Sequence, residues 1–350
     1  MAETPPEPPA STPAETPAVL PLAISLGDPS GIGPEVIAKA WARRREAGLA
    51  PFLAVGDMRS IAQVSAVPVE QIYDPTAAFD LFDRALPCLH VEEGDVAPPG
   101  QPTLDGARCA FHSLEIATGL VRQEGAAGLV TGPISKVRLA EVGFTFPGQT
   151  EFVAERCGIA RSNAVMMLAG PSLRVVPITI HIALRDVPQA LTADLIRSRA
   201  LVTARGLQRN FGIARPRLVV AALNPHAGEQ GHMGDEEERI IAPAIAALIE
   251  DGLDISGPYP ADALFTPRAR AGYDAALCMY HDQALVPLKA LDFDEGVNIT
   301  LGLPIVRTSP DHGTAFDIAG QDRAEPGAMI AAIRMASAAD AWRKASAASA

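Results

Sequence analysis

Three histidines lie at or just beyond the ends of apolar, strand-like runs: His181 within RVVPITIHI, His226 after RLVVAALN and His281 after DAALCMY. Imidazole is the commonest protein ligand of zinc and also suits other first-row divalent ions. Because ligands in open α/β sheets bind beyond the carboxyl ends of strands, the three side chains are candidates for one catalytic metal site. A single histidine of this kind is more often a hydrogen-bonded core or surface residue. The metal-site hypothesis therefore depends on all three histidines following strand-like runs. His90 and His112 lack that placement and are expected to be structural.

Cationic and polar side chains gather in a second region, VPLKALDFDEGVNITLGLPIVRTSPDHGTAFDIAG, at residues 286–320. Lys289, Asn298 and Arg307 are residue types that hold a phosphate or a carboxylate. Lysine and arginine are usually solvated. Arg307, however, follows the apolar run GLPIV, and this favours an inward-facing clamp for an anion.

Three turns have more than one interpretation. The turn LGDPSGIGPE at 26–35 either binds an anion with the free N–H groups of the following helix or only connects two elements. It matches neither the GxGxxG pattern nor a Walker loop. In the turns TGPISK and FPGQTEF, polar side chains such as Gln149 and Thr150 can face a substrate, although Thr150 is also a natural helix N-cap.

The elements that would position these residues alternate along the chain. From Pro21 onward, short apolar runs separate helix-length amphipathic segments, which is typical of an α/β fold with buried, largely parallel strands. Pro34 fits the first turn of a helix, and Thr192 or Asp194 can cap the segment that ends at Arg209. The acidic run at 235–238 suits the positive end of a helix dipole. The predicted strands are 21–26, 51–56, 127–132, 164–170, 174–182, 217–224 and 274–280.

Composition excludes several classes of protein. With 350 residues, 48% of them hydrophobic, the chain can form one or two packed cores. Its net charge of −12, without a Lys/Arg-rich run, disfavours a nucleic-acid partner. No apolar run reaches the roughly 18 to 20 residues of a membrane span. The four scattered cysteines predict reduced thiols in a cytoplasmic protein, and residues 1–18 read as a disordered, Pro-rich extension.

The chain also resembles the 4-hydroxythreonine-4-phosphate dehydrogenase family of vitamin B6 biosynthesis. The resemblance lies in these blocks, which occur in the family's order: GDPSGIGPE, VTGPISK, PGQTEF, AVMMLAG, NPHAGEQGHMGDEE, GPYPADALF, MYHDQALVPLK and GVNITLGLPIVRTSPDHGTAFDIAG. Together they cover the chain from about Pro21 to Met335, and the combination is far more specific than any single block.

The resemblance implies an isocitrate/isopropylmalate-dehydrogenase-like α/β/α sandwich, with two lobes and a central cleft. Residues 19–145 together with 297–345 would form an outer, cofactor-side lobe. Residues 146–296 would form a central lobe with the metal ligands and the dimer interface. It further implies a homodimer with its active site at the subunit interface.

The resemblance also implies roles for individual residues. His181, His226 and His281 would bind a divalent metal (Zn, Mg or Co), the last supplied by the partner subunit. The substrate contacts would be Gln149, Thr150, Lys289, Asn298 and Arg307. His312, Gly313 and Asp317 would bind NAD or NADP. Asp262, Asp282 and Lys289 are the candidates for the group that takes the proton.

The activity so implied is oxidation of a small phosphorylated amino acid, 4-hydroxythreonine 4-phosphate, at its secondary hydroxyl. The resulting 3-keto acid would then lose its carboxylate. The family usually has His-Thr where this chain has Gln149-Thr150, and glutamine cannot become cationic. Three alternatives stay open at this point: a related NAD- and metal-dependent cis-diol dehydrogenase of aromatic-acid breakdown, a metal-dependent hydrolase, and a non-catalytic binding protein.

Overall fold

The computed structural model describes residues 19–348. The predicted extension at 1–18 lies outside the described residues. Within the described range, no helix has both the length and the apolar character that crossing a membrane requires.

Twelve strands in this range form one sheet, in the order β3-β4-β2-β1-β5-β12-β11-β6-β7-β10-β8-β9. Their bounds are β1 (Leu22–Ser25), β2 (Phe52–Gly56), β3 (Val69–Gln71), β4 (Leu86–His90), β5 (Leu129–Thr131), β6 (Val165–Ala169), β7 (Arg174–Pro177), β8 (Arg217–Ala221), β9 (Asp254–Tyr259), β10 (Ala275–Cys278), β11 (Val297–Leu301) and β12 (Arg307–Pro310).

The α-helices of the same range are α1 (Gly33–Ala42), α2 (Met58–Val64), α3 (Ala78–Leu81), α4 (Leu104–Arg122), α5 (Lys136–Glu141), α6 (Gln149–Arg156), α7 (Val187–Ala190), α8 (Ala193–Phe211), α9 (Ala242–Glu250), α10 (Ala261–Leu264), α11 (Pro267–Arg270), α12 (His281–Asp292) and α13 (Gly327–Ala348). Several predicted helix starts are confirmed. Pro34 is the second residue of α1, and Thr192 caps α8 by accepting the Leu195 N–H at 3.1 Å. The acidic run at 235–238 leads into the π-turn Glu237–Ile241, which continues as α9.

The prediction of a largely parallel sheet needs correction at its centre. β11 is antiparallel to both β12 and β6, and β6 is antiparallel to β7. Only residues 170–173 join β6 to β7, and only residues 302–306 join β11 to β12. A parallel crossover needs a dozen or more residues, so these short links permit only antiparallel pairing. Together with the antiparallel pairing of β11 and β6, they make β7, β8, β9 and β10 run opposite to the six strands from β3 to β12 in the sheet order.

Helices cover both faces of each half of the sheet. In β1, Leu22 and Ile24 pack in a core with α1 and α13, while Ala23 packs in another core with α4. In the other half, alternate residues of β10 pack either with α8 and α9 or with α12. Burying one Leu, Ile or Val side chain stabilises the fold by about 1.5–3 kcal/mol. Burial on both faces therefore explains the continuous apolar runs of the sequence, and the arrangement is the predicted α/β/α sandwich.

All seven predicted strands exist, but five others were not predicted: β3, β4, β9, β11 and β12. Two of these, β11 and β12, lie in the middle of the sheet and carry Asn298 and Arg307. The division into lobes at 145/146 and 296/297 stays a prediction, since the sheet runs without interruption through both halves.

Candidate active site

A cavity of about 280 Å³ opens over the middle strands of the sheet. Asn298 on β11 pairs in register with Leu168 on β6 and Ser309 on β12, and all three side chains line the cavity. The start of α6 contributes Gln149 and Thr150 to its wall. The same cavity, called the cleft below, is also lined by Arg307, His181, His281 and His312. The structure therefore brings seven of the predicted site residues together.

Arg307 is the most buried cation of the cleft, with 4% of its surface exposed. Its Nη1 donates to Thr150 Oγ1 at 3.3 Å and to Thr300 Oγ1 at 3.1 Å. Its Nη2 donates to Thr131 Oγ1 at 2.7 Å and to Gln149 Oε1 at 3.1 Å. Every one of these acceptors is neutral.

Burial lowers the pKa of Arg307 to about 10, against the attraction of the nearby Glu151 carboxylate. The guanidinium therefore remains a cation at neutral pH. A buried positive charge without an ion-pair partner is costly unless a ligand compensates it. This part of the cleft is accordingly suited to an anion, as the inward-facing position of Arg307 predicted.

Gln149 and Thr150 lie in the first turn of α6. The N-cap of this helix is Gly148, so the interpretation of Thr150 as an N-cap is wrong. Thr150 is half-buried and lines the cleft, where its hydroxyl oxygen accepts from Arg307. Gln149 is buried, and its Nε2 donates to the carbonyl oxygen of Gly132 at 2.9 Å.

Three residues that line the cleft carry buried polar atoms without a hydrogen-bond partner: Asn298 Oδ1, Arg307 Nε and His312 Nε2. Such atoms are rare in folded proteins because an unsatisfied buried donor or acceptor costs about 1–3 kcal/mol. Their concentration in one cavity indicates a polar ligand that supplies the missing partners. Burial lowers the pKa of His312, which favours the neutral imidazole.

The rings of His181 and His281 lie side by side in the wall of the cleft, with centroids 5.8 Å apart. They follow β7 and β10, which are adjacent parallel strands. Asp282 Oδ1 lies 2.7 Å from His281 Nδ1, an arrangement that orients an imidazole and leaves its Nε2 free. Burial lowers the pKa of His181, and the neighbouring Lys136 and His281 lower it further.

His181 has a backbone φ of 56°, a left-handed conformation that is unusual for a residue other than glycine. Backbone strain of this kind clusters at functional sites, where the surrounding fold holds it in place.

His226 does not join the other two histidines. It follows β8 in a turn where His226, Ala227, Gly228, Glu229 and Gln230 all have positive φ. Its side chain is exposed, and its Nδ1 lies 3.1 Å from Glu229 Oε2. Among residues 19–348, no group of three or more His, Cys, Asp or Glu side chains is placed to hold a metal ion. Within one chain, therefore, two of the three histidines lie together as predicted, and the third does not.

The resemblance assigned His281 to the partner subunit, but within one chain His281 already lies beside His181. Asp28 follows β1, which runs opposite to β7, so it lies at the other end of the strands from the two histidines.

The three candidate proton acceptors lie in different surroundings. Lys289 on α12 pairs with Asp311, with Nζ 3.1 Å from Oδ2, and Asp311 lines the cleft. Asp282 contacts His281, as described above. Asp262 lies exposed on the short helix α10, and it lines neither the cleft nor the adjoining cavity beside His181 and His281.

The predicted cofactor segment packs against the Gly-rich turn. Ile32 N–H donates to Thr314 O at 2.9 Å, and a Cβ at Gly31 would lie 2.8 Å from the same oxygen. Glu35 at the start of α1 accepts the N–H groups of Gly320 and Ala324 at 3.2 Å and 2.9 Å. The glycines of this turn therefore allow a close approach between two segments. This agrees with the interpretation of the turn as a connection between elements.

Two of the three predicted cofactor residues do not line the cleft. Around Gly313, no atom beyond the glycine and its two chain neighbours lies within 4 Å of the position that a Cβ would take. The backbone oxygen of Asp317 accepts from Gln321 Nε2 at 2.6 Å. His90 and His112 also lie elsewhere: His90 Nδ1 accepts the Met58 N–H at 3.2 Å, and His112 contacts Glu93.

Sequence reasoning missed several polar residues that line the cleft: Thr131, Lys136, Glu151, Arg161, Arg199, Ser309 and Asp311. Thr131 and Lys136 belong to the TGPISK turn, which the sequence marked as polar without separating its members. Asp311 lies directly before the predicted residue His312. The sequence signal that could have identified such a residue is a charged side chain beside a candidate site residue, as Asp311 is beside His312.

Comparison with known proteins identifies structures of similar fold. The chain shares its fold with the crystal structure of 4-hydroxythreonine-4-phosphate dehydrogenase from Klebsiella pneumoniae, with a TM-score of 0.83 and 37% identity over 92% of this chain and 99% of that one. A terephthalate 1,2-cis-dihydrodiol dehydrogenase from Burkholderia xenovorans is more distant, with a TM-score of 0.62 and 27% identity over 92% and 98% of the two chains. These structures place the chain among α/β/α proteins of the dehydrogenase type.

The sequence comparisons are more specific. Residues 49–336 match the family model described as pyridoxal phosphate biosynthetic protein PdxA. The chain is 59% identical to 4-hydroxythreonine-4-phosphate dehydrogenase of Zymomonas mobilis over 315 residues, which cover 90% of this chain and 94% of that protein. The chain belongs to the PdxA family.

Proposed function

We propose that the chain oxidises 4-hydroxythreonine 4-phosphate with NAD or NADP as the hydride acceptor, in the biosynthesis of pyridoxal phosphate. The hydride leaves the carbon that carries the secondary hydroxyl, and the hydroxyl proton is released. The 3-keto acid formed then loses carbon dioxide and gives 3-amino-2-oxopropyl phosphate.

The buried guanidinium of Arg307 is the observation that supports this proposal most directly. The substrate carries a phosphate and a carboxylate, and the cleft offers a cation held only by neutral oxygens. Asn298 Oδ1, without a partner in the same cavity, is an acceptor for the ammonium or a hydroxyl of the substrate. These contacts fix the reacting carbon, which is mainly a positioning effect.

His181 and His281 fit a divalent metal in part, because two imidazoles face one cavity and Asp282 orients one of them. A cation bound there supplies Lewis-acid polarisation of the substrate hydroxyl. The missing third ligand supports a homodimer with the site at the subunit interface, where His226 of one copy would meet the pair of the other. Ile182 and Leu184, next to His181, are 44% and 66% exposed, which is consistent with a partner at this edge.

His312 fits a cofactor role, since its buried Nε2 has no partner and its segment packs on the turn before α1. Of the three candidate bases, Lys289 and Asp282 are linked to cleft residues, through Asp311 and His281 respectively. Asp262 would need a partner subunit or a movement of α10 to take part.

The test is formation of NADH or NADPH by the purified chain with 4-hydroxythreonine 4-phosphate, run beside a cis-dihydrodiol substrate. We expect turnover of the phosphorylated substrate. In the Arg307→Ala variant, the KM for this substrate should rise at least tenfold, since a hydrogen bond to a charged group contributes about 1.5–3 kcal/mol. Turnover of the diol alone would favour the related dihydrodiol dehydrogenases instead. Chelator-sensitive hydrolysis without any nicotinamide would favour a hydrolase.

A further inference from the structure

The guanidinium of Arg307 has five N–H donors, and the protein uses four of them. Both Nη atoms donate twice, to three threonine hydroxyls and to the amide oxygen of Gln149. Nε alone has no partner. The orientation of the planar group is therefore fixed from both sides before any ligand arrives.

Gln149 uses both ends of its amide inside the protein. Its Oε1 accepts from Arg307, and its Nε2 donates to Gly132 O. Because an amide plane is rigid, the backbone of the β5–α5 turn sets the position of the oxygen that holds Nη2. Thr131, at the end of β5, holds the same Nη2 at 2.7 Å and is 1% exposed.

We propose that Thr131 and Gln149 are positioning residues that aim the guanidinium of Arg307 at the substrate anion, and that Gln149 does not itself contact the substrate. This inference rests on the proposed function for the identity of the anion. It assigns a role to Thr131 and changes the role expected for Gln149.

The neutrality of the two residues is part of the argument. A carboxylate beside Arg307 would hold the guanidinium equally well but would cancel its charge, and the anion would then compete with a resident one. Hydroxyl and amide oxygens fix the geometry and leave the charge for the ligand. The half-buried Thr150 accepts from Nη1, so its own hydroxyl proton is free to donate toward the cleft.

The variants Thr131→Val and Thr131→Ser test the first residue. Thr308→Val is the matched control, because Thr308 is also buried and its hydroxyl makes one hydrogen bond, to Ala332 O, away from Arg307. We expect Thr131→Val to raise the KM for 4-hydroxythreonine 4-phosphate about tenfold, with kcat changed less than threefold. Thr131→Ser should restore the KM to within threefold, and Thr308→Val should leave it within twofold.

A double variant separates positioning from general destabilisation. If Thr131 acts through Arg307, adding Thr131→Val to Arg307→Lys should not raise the KM further. Multiplication of the two effects, or an equal KM change in Thr131→Val and Thr308→Val, would overturn the proposal.

Gln149→Glu, close in shape, should raise the KM more than Gln149→Met because it adds the competing charge. The reverse order would show that Gln149 is a packing or contact residue.

Inorganic phosphate provides a readout that needs no turnover. Phosphate should raise the melting temperature of the wild type and of Thr308→Val, and it should have much less effect on Thr131→Val. If the chain fails to oxidise the phosphorylated substrate but shows this pattern, the positioning role stands and the proposed function fails. If phosphate stabilises all variants equally, the positioning role fails whatever the activity.

Discussion

The imidazole rings of His181 and His281 lie 5.8 Å apart although one hundred residues separate them in the chain. The adjacent parallel strands β7 and β10 end at the same edge of the sheet and bring the two side chains together. His226 follows β8, the next strand along, but a run of left-handed residues carries it outward to solvent. One chain therefore supplies two neighbouring imidazoles and one separate imidazole.

Removing each imidazole tests whether all three bind metal. We expect His181→Ala, His226→Ala and His281→Ala each to abolish binding of a divalent metal, measured as metal content per chain after dialysis. His112→Ala is the control, since His112 lies outside the cleft beside Glu93 and should leave the metal content unchanged. Full metal content in His226→Ala would restrict the site to the pair within one chain.

Glu35 should influence the cofactor through the segment that it holds. Its carboxylate accepts the N–H groups of Gly320 and Ala324, just after the predicted cofactor residues. In Glu35→Ala we expect the KM for NAD to rise several-fold, with a smaller change in the KM for the substrate. Lys39→Met is a second probe of the same segment, because Lys39 contacts Glu35, Asp322 and the Ala324 carbonyl oxygen, and it should raise the KM for NAD as well. Equal changes in both KM values would argue against a cofactor role for this segment.

Asp28 should lower stability at neutral pH. Burial raises the pKa of its carboxyl, although the Ser30 N–H donates to Oδ1 at 3.0 Å. The folded protein then binds the proton more tightly than the unfolded chain does, so this contribution to stability falls as pH rises above about 4. Asp28→Asn should therefore raise the melting temperature, more at pH 7 than at pH 4.5. A gain that is larger at the lower pH would contradict the assignment.

Thiol reagents should distinguish the four cysteines. Burial raises the pKa of Cys88 and Cys278, and it raises that of Cys109 to about 12, so these three thiols are protected in the folded state. Cys157 is half-buried, and burial raises its pKa less. Under native conditions we expect at most one label per chain, located at Cys157 by peptide mass analysis. Labelling of Cys278 before unfolding would mean that the second half of the sheet opens readily.

The sequence predicted the types of residue in the cleft better than it predicted the strands that position them. The apolar run before Arg307 correctly indicated an inward-facing cation, although GLPIV is the link between β11 and β12 and Arg307 is the first residue of β12. The strands β11 and β12 were missed, since VNITL and RTSP contain polar residues that break the apolar pattern. Three of those polar residues, Asn298, Arg307 and Ser309, line the cleft, so the residues that suit a ligand are also the ones that obscured the strands.

The amino-acid sequence by itself determined the α/β class, the positions of seven strands and several helix starts, because hydrophobic periodicity and capping residues act over short distances. Only the tertiary structure decided which strand ends share an edge of the sheet. Three antiparallel pairings at the centre, two of them forced by short links, reverse one half of the sheet relative to the other. The order and direction of the strands bring His181 to His281, separate Asp28 from both, and surround Arg307 with oxygens from three separate parts of the chain.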